Sequence, residues 1–251
     1  MKKFLNNFSI ALQFLTIFCI NRGVEIDEEK LGKVSAIFPL IGLLLGLILF
    51  ISDKFFSLLL PRSIVDILLL LLLIIVTGGL HLDGYADTVD GFAGGRSKEE
   101  IIRIMKESNI GTFGVCGIVL LLMLKYLLLN NLLIGIKGAV LLIMPVIGRW
   151  AIVHLSFLSE YAGNSRGIGA PFTDFVKGRE FWIATFVTGI ILISLLGIKG
   201  IVIMIFVSVF IFLLNRYSYR KIGGVTGDVL GAVSEISEVL VLLLSIIFFS
   251  K

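Results

Sequence analysis

The chain is 251 residues long, 57% hydrophobic and 16% charged, with a net charge of +4. An ordinary globular domain is about half apolar and about a quarter charged, so water is not the principal solvent of this one. Its basic residues are spread through short loops rather than gathered in one tract interleaved with aromatics, which excludes a nucleic-acid partner and marks them as topology signals.

From the N-terminus, residues 4–20 read as an amphipathic or shallow segment. Lys2 and Lys3 in front of it resemble a signal peptide, but no small-residue cleavage site follows, so the segment is read as part of the mature protein. Apolar runs follow at 34–51, 64–81, 111–129, 132–154, 181–198, 200–214 and 229–249. Several approach the roughly 20 residues that a helix needs to cross a bilayer. The long runs lack barrel alternation, and lipid demands internally satisfied backbone. The expectation is an all-α, polytopic membrane bundle of about six to eight crossings, forming a single membrane-embedded catalytic domain over 1–251. Tight hairpins are expected at Asn130–Asn131 and Lys199–Gly200. Cys19 and Cys116 stand alone without metal-ligand spacing and read as small core residues.

If the loops around 22–33, 82–110, 155–180 and 215–228 share one side, that side and the N-terminus hold sixteen of the 22 Lys and Arg residues, Arg22, Arg149 and Arg166 among them. Lys54, Arg62, Lys125, Lys137, Lys199 and Lys251 fall on the other. The positive-inside rule makes the loop-rich face cytoplasmic. Seven crossings result if 4–20 stays on the surface, eight if it spans.

The stretch after the second run, 78–96, reads GGLHLDGYADTVDGFAGGR. Asp83, Asp87 and Asp90 fall at i, i+4 and i+7, one face of a helix. Three carboxylates near a membrane repel unless a cation neutralises them. A hard divalent cation is the simplest candidate, because oxygen-only ligands favour magnesium, calcium or manganese over zinc, and magnesium leaves positions for substrate phosphates. The blander reading is a solvated helix end paired with Arg96, Lys98 and Arg103. The glycines at 78, 79, 84, 91, 94 and 95 let a bulky ligand or another backbone come close. His81 reads equally as a structural hydrogen-bonding residue or a catalytic one.

Arg103, Lys106, Glu107, Ser108 and Asn109 run into a helix start at Gly111, an arrangement suited to phosphate or merely to headgroup anchoring. Near the C-terminus, Asp228 and Glu235 share a helical face, with Glu238 close by. Acids inside a membrane helix need partners and default to function. The glycine-rich loop 163–169 cradles a phosphate or simply turns.

These blocks resemble the cobalamin synthase family, adenosylcobinamide-GDP ribazoletransferases of coenzyme B12 assembly. The resemblance rests on GGLHLDGYADTVDGFAGG at 78–95, IMKESNIGTFGV at 104–115 and GGVTGDVLGAVSE at 223–235, with weaker agreement in FLTIF at 14–18 and FPLIG at 38–42. Glu107 stands where the family's pattern suggests aspartate. The resemblance implies a magnesium-dependent phosphotransferase, manganese being an alternative, in which the 5′ oxygen of α-ribazole, or of its 5′-phosphate, attacks adenosylcobinamide-GDP and GMP leaves. Asp83, Asp87 and Asp90 would hold the metal, and Asp90 or Asp228 would accept the hydroxyl proton, with His81 a further catalytic candidate. Arg96, Arg103 and Lys106 would bind phosphate oxygens, and Glu107, Gly84, Gly91 and Glu235 would complete the substrate site. Partners implied are the two substrates and the bilayer of the cell membrane, with the site facing the cytoplasm. A homo-oligomer, or association with other B12-assembly enzymes, is compatible with the same picture. A partial likeness to CDP-alcohol phosphotransferases, carried by Asp87, Asp90, Gly91 and Arg96, suggests similar chemistry without membership.

The rival reading is a cation-coupled transporter using the same acids. It requires them to line a path through the membrane, whereas an enzyme requires convergence in a cavity at one face.

Overall fold

The computed structural model describes residues 2–19, 27–162 and 167–249, with side chains from residue 4 onward. Arg22, Arg166, Lys251, residues 163–166 of the glycine-rich loop and the side chains of Lys2 and Lys3 lie outside the described residues. The described part is helical, from α1 (Lys2–Leu15), α2 (Glu28–Val34), α3 (Phe38–Phe56) and α4 (Arg62–Thr77) to α5 (Leu80–Gly94) and α6 (Lys98–Met105). It continues through α7 (Thr112–Asn131), α8 (Ile134–Leu158), α9 (Ala170–Phe175), α10 (Gly178–Leu196), α11 (Ile198–Ile222) and α12 (Gly227–Phe249). Among the described residues, six stretches are long and apolar enough to cross a membrane, and a seventh if the bent pair α4–α5 is taken as one span. The protein is therefore a polytopic membrane bundle.

Helix α1 has 14 residues; at 1.5 Å per residue it reaches about 21 Å, short of the roughly 30 Å hydrocarbon layer. It packs on α2 and α3 at one end of the bundle, and the chain after it is held where the Ile17 N–H donates to the Val76 carbonyl. The apolar run 64–81 breaks at Gly78 and Gly79, with φ of 62° and 71°. A side chain there would cost about 1–2 kcal/mol at each position. The two glycines turn α5 through 92° relative to α4. α5 thus leaves the line of α4 and carries its acids with it.

Helix α8 is the central post. It packs against α3, α12, α10 and α11, and sixteen of its 25 residues are buried. Gly42 and Gly46 of α3 lie directly on the α8 backbone, where a Cβ would sit 2.5 Å from the carbonyls of Pro145 and Leu142. The hairpin expected at Asn130–Asn131 is present. The one expected at Lys199–Gly200 turns two residues earlier, at Gly197, whose φ is 60°, and α11 runs eight residues beyond the expected end at 214.

Five cations and acids placed in loops or left unassigned by the sequence lie inside the bundle. Lys125 of α7 donates to Glu235 and Glu238 of α12, each at 2.6 Å, and Arg149 of α8 donates to the other oxygen of Glu238. Toward the opposite end, Lys137 pairs with Asp53 at 2.9 Å and with Asp66, which also accepts from Asn130. With Arg62, 3.9 Å from Asp66, completing the second group, each balances charge internally, as burial in lipid demands. Lys125, Lys137 and Arg149 are thus packing partners of acids rather than topology signals. Cys19 and Cys116 are exposed, not core.

Candidate active site at one face of the bundle

The site forms where α5 crosses α12. Gly84 lets the helices touch: a Cβ there would sit 2.9 Å from the Cα of Asp228, and one on Gly231 would meet the His81 carbonyl at 3.1 Å. Gly91 abuts Met105 of α6. Of the two roles open to these glycines, close approach of another backbone or side chain is the one observed, although Gly84 also lines a cavity. The contact sets Asp228, at the start of α12, beside Asp83 and Asp87.

Three adjoining cavities open around these acids. The first, about 360 Å³, is lined by Asp83, Asp87, Glu107 and Ser108. The second, about 190 Å³, lies between Lys106, Tyr161, Thr226 and Asp228. The third, about 150 Å³, is largely apolar, with His81, Asp83 and Asp228 at its polar edge. Thr226 donates to Asp228 at 3.1 Å. A short parallel bridge, Ala162 N–H to Val225 O and Val225 N–H to Glu160 O, both 2.9 Å, ties the loop after α8 to the start of α12. The acids thus converge in cavities at one face, and nothing supports the transporter alternative.

Asp90 is placed differently from Asp83 and Asp87. Its two oxygens accept the N–H groups of Gly111 and Gly114, each at 2.7 Å, at the start of α7. Seven residues of helix separate it from Asp83 by about 10.5 Å along the axis, too far for one ion to bridge, and it lines none of the three cavities. Its charge offsets the partial positive charge of a helix N-terminus. Sequence spacing detected a shared face but not this prior engagement.

Glu235 is likewise committed to Lys125, two turns below Asp228 in α12. Arg96 is exposed and lines none of the three cavities, and its N–H donates to Glu100 at 2.8 Å. Arg103 pairs with Glu107 one helical turn away, on the exposed rim. Lys106 and Glu107 do line the cavities. The sequence reading overlooked the cations Lys125 and Arg149 and the apolar side chains Phe14, Ile152 and Phe172. The rule applied to intramembrane acids would have found the first two had it been applied to bases inside apolar runs.

Asp87 is half-buried, and burial, followed by the like charges of Asp228, Asp83 and Asp90, pushes its carboxyl up to about 7. Neither Asp83 nor Asp87 takes part in a salt bridge among the described residues. Among those residues no three acids or histidines already form a coordination shell. Magnesium, which keeps several waters and is commonly held by one or two carboxylates plus substrate phosphates, suits such an open, all-oxygen donor set better than a metal needing a complete protein cage.

Crossing helices, buried ion pairs and a cluster of unpaired acids at one face define an integral-membrane enzyme site open to a charged substrate. The model of the cobalamin-5-phosphate synthase family matches residues 7–246, and the chain belongs to that family. It is 40% identical to a Geotalea daltonii protein over 95% of this chain and 96% of that one. Identity is 36% to a Caldanaerobacter subterraneus protein, over 96% of each chain. For a Clostridium acetobutylicum protein it is 34%, over 94% of this chain and 93% of the relative. All three are named adenosylcobinamide-GDP ribazoletransferase. No solved structure matches the chain significantly.

Proposed function

We propose that this chain joins adenosylcobinamide-GDP to α-ribazole, or to its 5′-phosphate, giving adenosylcobalamin or its 5′-phosphate and releasing GMP. The observation that carries the reading is the gathering of Asp83, Asp87, Glu107 and Asp228 around adjoining cavities at one face, in a chain whose full-length relatives bear this activity's name.

The nucleophile differs from the sequence-based expectation. The family's description, cobalamin-5-phosphate synthase, names a product that still carries a 5-phosphate. A 5′ oxygen already bearing phosphate cannot attack, so the attacking group is a ring hydroxyl of the ribose, the 3′ oxygen that cobalamin esterifies. That oxygen bonds to the phosphorus attached to the cobinamide side chain. The bond from this phosphorus to the bridging oxygen breaks, and GMP departs with the electron pair. Asp228 accepts the hydroxyl proton, since Asp90 is occupied by backbone N–H groups.

Asp83 and Asp87, with substrate phosphates, would hold magnesium or manganese, which supplies charge neutralisation at the diphosphate when bound. Lys106 meets phosphate oxygens from the cavity it shares with Asp228, while Arg103 stays paired with Glu107 on the rim. Asp90 fixes the start of α7 and so the loop that carries Glu107 and Ser108. The membrane is the cell membrane, with the site on the cytoplasmic side. Arg96, Lys98, Arg103, Lys106, Lys177, Arg179, Arg220 and Lys221, at helix ends or in the short links between them, support that orientation.

The test is reaction of the reconstituted protein with both substrates, with and without magnesium, following GMP and the joined corrinoid. Metal-dependent formation of both in equal amounts is expected. Folded protein that forms neither product with either ribazole form would overturn the reading.

A further inference from the structure

The third cavity is mostly apolar, unlike the first. Its walls come from five helices: Phe14 of α1, Ile152 of α8, Phe172 of α9 and Leu230 of α12 supply apolar surface, with His81 and Leu80 of α5 beside them. Phe14 and Phe172 lie ring to ring at 5.0 Å, and Phe38 supports Phe172 at 5.5 Å. Ile152, Phe172 and Leu230 are almost wholly buried. At about 150 Å³, the space matches cavities known to accept a small aromatic ring. His81 is 4% exposed, and its Nδ1 is buried with no hydrogen-bond partner in the protein. Such an orphan costs free energy unless something else satisfies it. Asp83 and Asp228, the acids of the transfer site, line the same cavity.

A mostly apolar slot with one unsatisfied ring nitrogen, ending at two carboxylates, is the usual make-up of a small-molecule site. We propose that this slot is the base pocket of the acceptor substrate. The flat benzimidazole of α-ribazole packs against the Phe14–Phe172 pair and Leu230, and His81 meets its polar edge, leaving the ribose hydroxyls at Asp83 and Asp228. At about 150 Å³ the slot is too small for a corrin ring. The assignment rests on the transferase reading above. It gives α1, too short to cross the membrane, a specific task as one wall of the pocket.

The test reads binding rather than turnover. α-Ribazole binding to detergent-solubilised full-length protein is measured by equilibrium dialysis for wild type, Leu230→Phe and Ile152→Phe, each adding bulk to the slot. Adenosylcobinamide-GDP binding is measured in parallel. The expected result is at least a tenfold loss of α-ribazole affinity in both variants, with less than a twofold change for the corrinoid. A benzimidazole riboside lacking the two methyl groups should lose less. Unchanged α-ribazole affinity, or a loss confined to the corrinoid, overturns the slot. Should both variants fail to fold, wild type decides: free 5,6-dimethylbenzimidazole must compete with α-ribazole and not with the corrinoid, and absence of competition overturns the proposal. α-Ribazole held in the slot without any turnover would sink the transferase reading and leave the pocket standing; turnover with an insensitive slot would do the reverse.

Discussion

Asp90 and the two glycines facing it make a joint whose failure has a distinctive signature. Replacing Asp90 with alanine removes two charge-assisted hydrogen bonds, to the N–H groups of Gly111 and Gly114. Each is worth about 1.5–3 kcal/mol when an ionised group is involved, so the expected loss of stability is about 3–6 kcal/mol. Gly114→Ala attacks the same joint from the other side, because its Cβ would land on the Asp90 carboxylate. In the wild-type background that substitution must push the carboxylate away and lose part of the same energy. In the Asp90→Ala background the space is already empty, and Gly114→Ala should cost almost nothing. The double-mutant cycle should therefore show a coupling of about 1.5–3 kcal/mol, read from thermal or denaturant unfolding in detergent. Activity should follow stability and recover partly on cooling, since Asp90 positions the loop bearing Glu107 instead of touching the phosphates. Additive effects, or an Asp90→Ala protein of normal stability with no magnesium response, would refute this role.

Lys125 holds two buried acids, so Lys125→Met should cost about 3–5 kcal/mol by stranding Glu235 and leaving Glu238 to Arg149 alone; protease resistance in detergent measures it, and a loss under 1 kcal/mol would contradict the pairing. Gly84→Val should abolish activity by wedging α5 off the Asp228 backbone, whereas Gly189→Val, with open space at its Cβ, should be near neutral in the same assay. The Asp87 carboxyl, raised to about 7, gives a pH dependence of known sign. A raised folded-state value means that the metal-free protein is more stable below about pH 4 at this group, and loses that contribution as pH climbs to about 7 and the carboxylate ionises. Protons and metal compete for the same oxygens, so the magnesium concentration giving half-maximal activity should rise as pH falls below about 7. Asp87→Asn should flatten that response, and a magnesium requirement independent of pH in wild type would count against Asp87 as a ligand.

Much of this architecture is legible in the chain because lipid leaves few options. Long runs such as 229–249 became α12 within two residues of their expected start, and the hairpin at Asn130–Asn131 fell where polar residues interrupt the apolar pattern. What could not be read was direction. Gly78 and Gly79 were seen as permissive, but a 92° turn follows only when both adopt left-handed backbone, which depends on what α5 packs against. Helical spacing grouped Asp90 with Asp83 and Asp87, and Glu235 with Asp228, because periodicity reports the face of a helix and not what that face meets. The facing groups, Gly111, Gly114 and Lys125, are distant in sequence and appear only once α7 is folded against α5 and α12. The same holds for the apolar slot, whose walls come from five helices.

The central claim is that Asp83, Asp87 and Asp228 act together on the transfer reaction at one face of the membrane. It is tested most directly by measuring magnesium-dependent joining of adenosylcobinamide-GDP to α-ribazole for the three single asparagine variants, each with its unfolding midpoint. Loss of at least a hundredfold in rate for all three, with midpoints at or above wild type because like-charge repulsion has been relieved, is the expected result. Full activity in any two of these folded variants would contradict it.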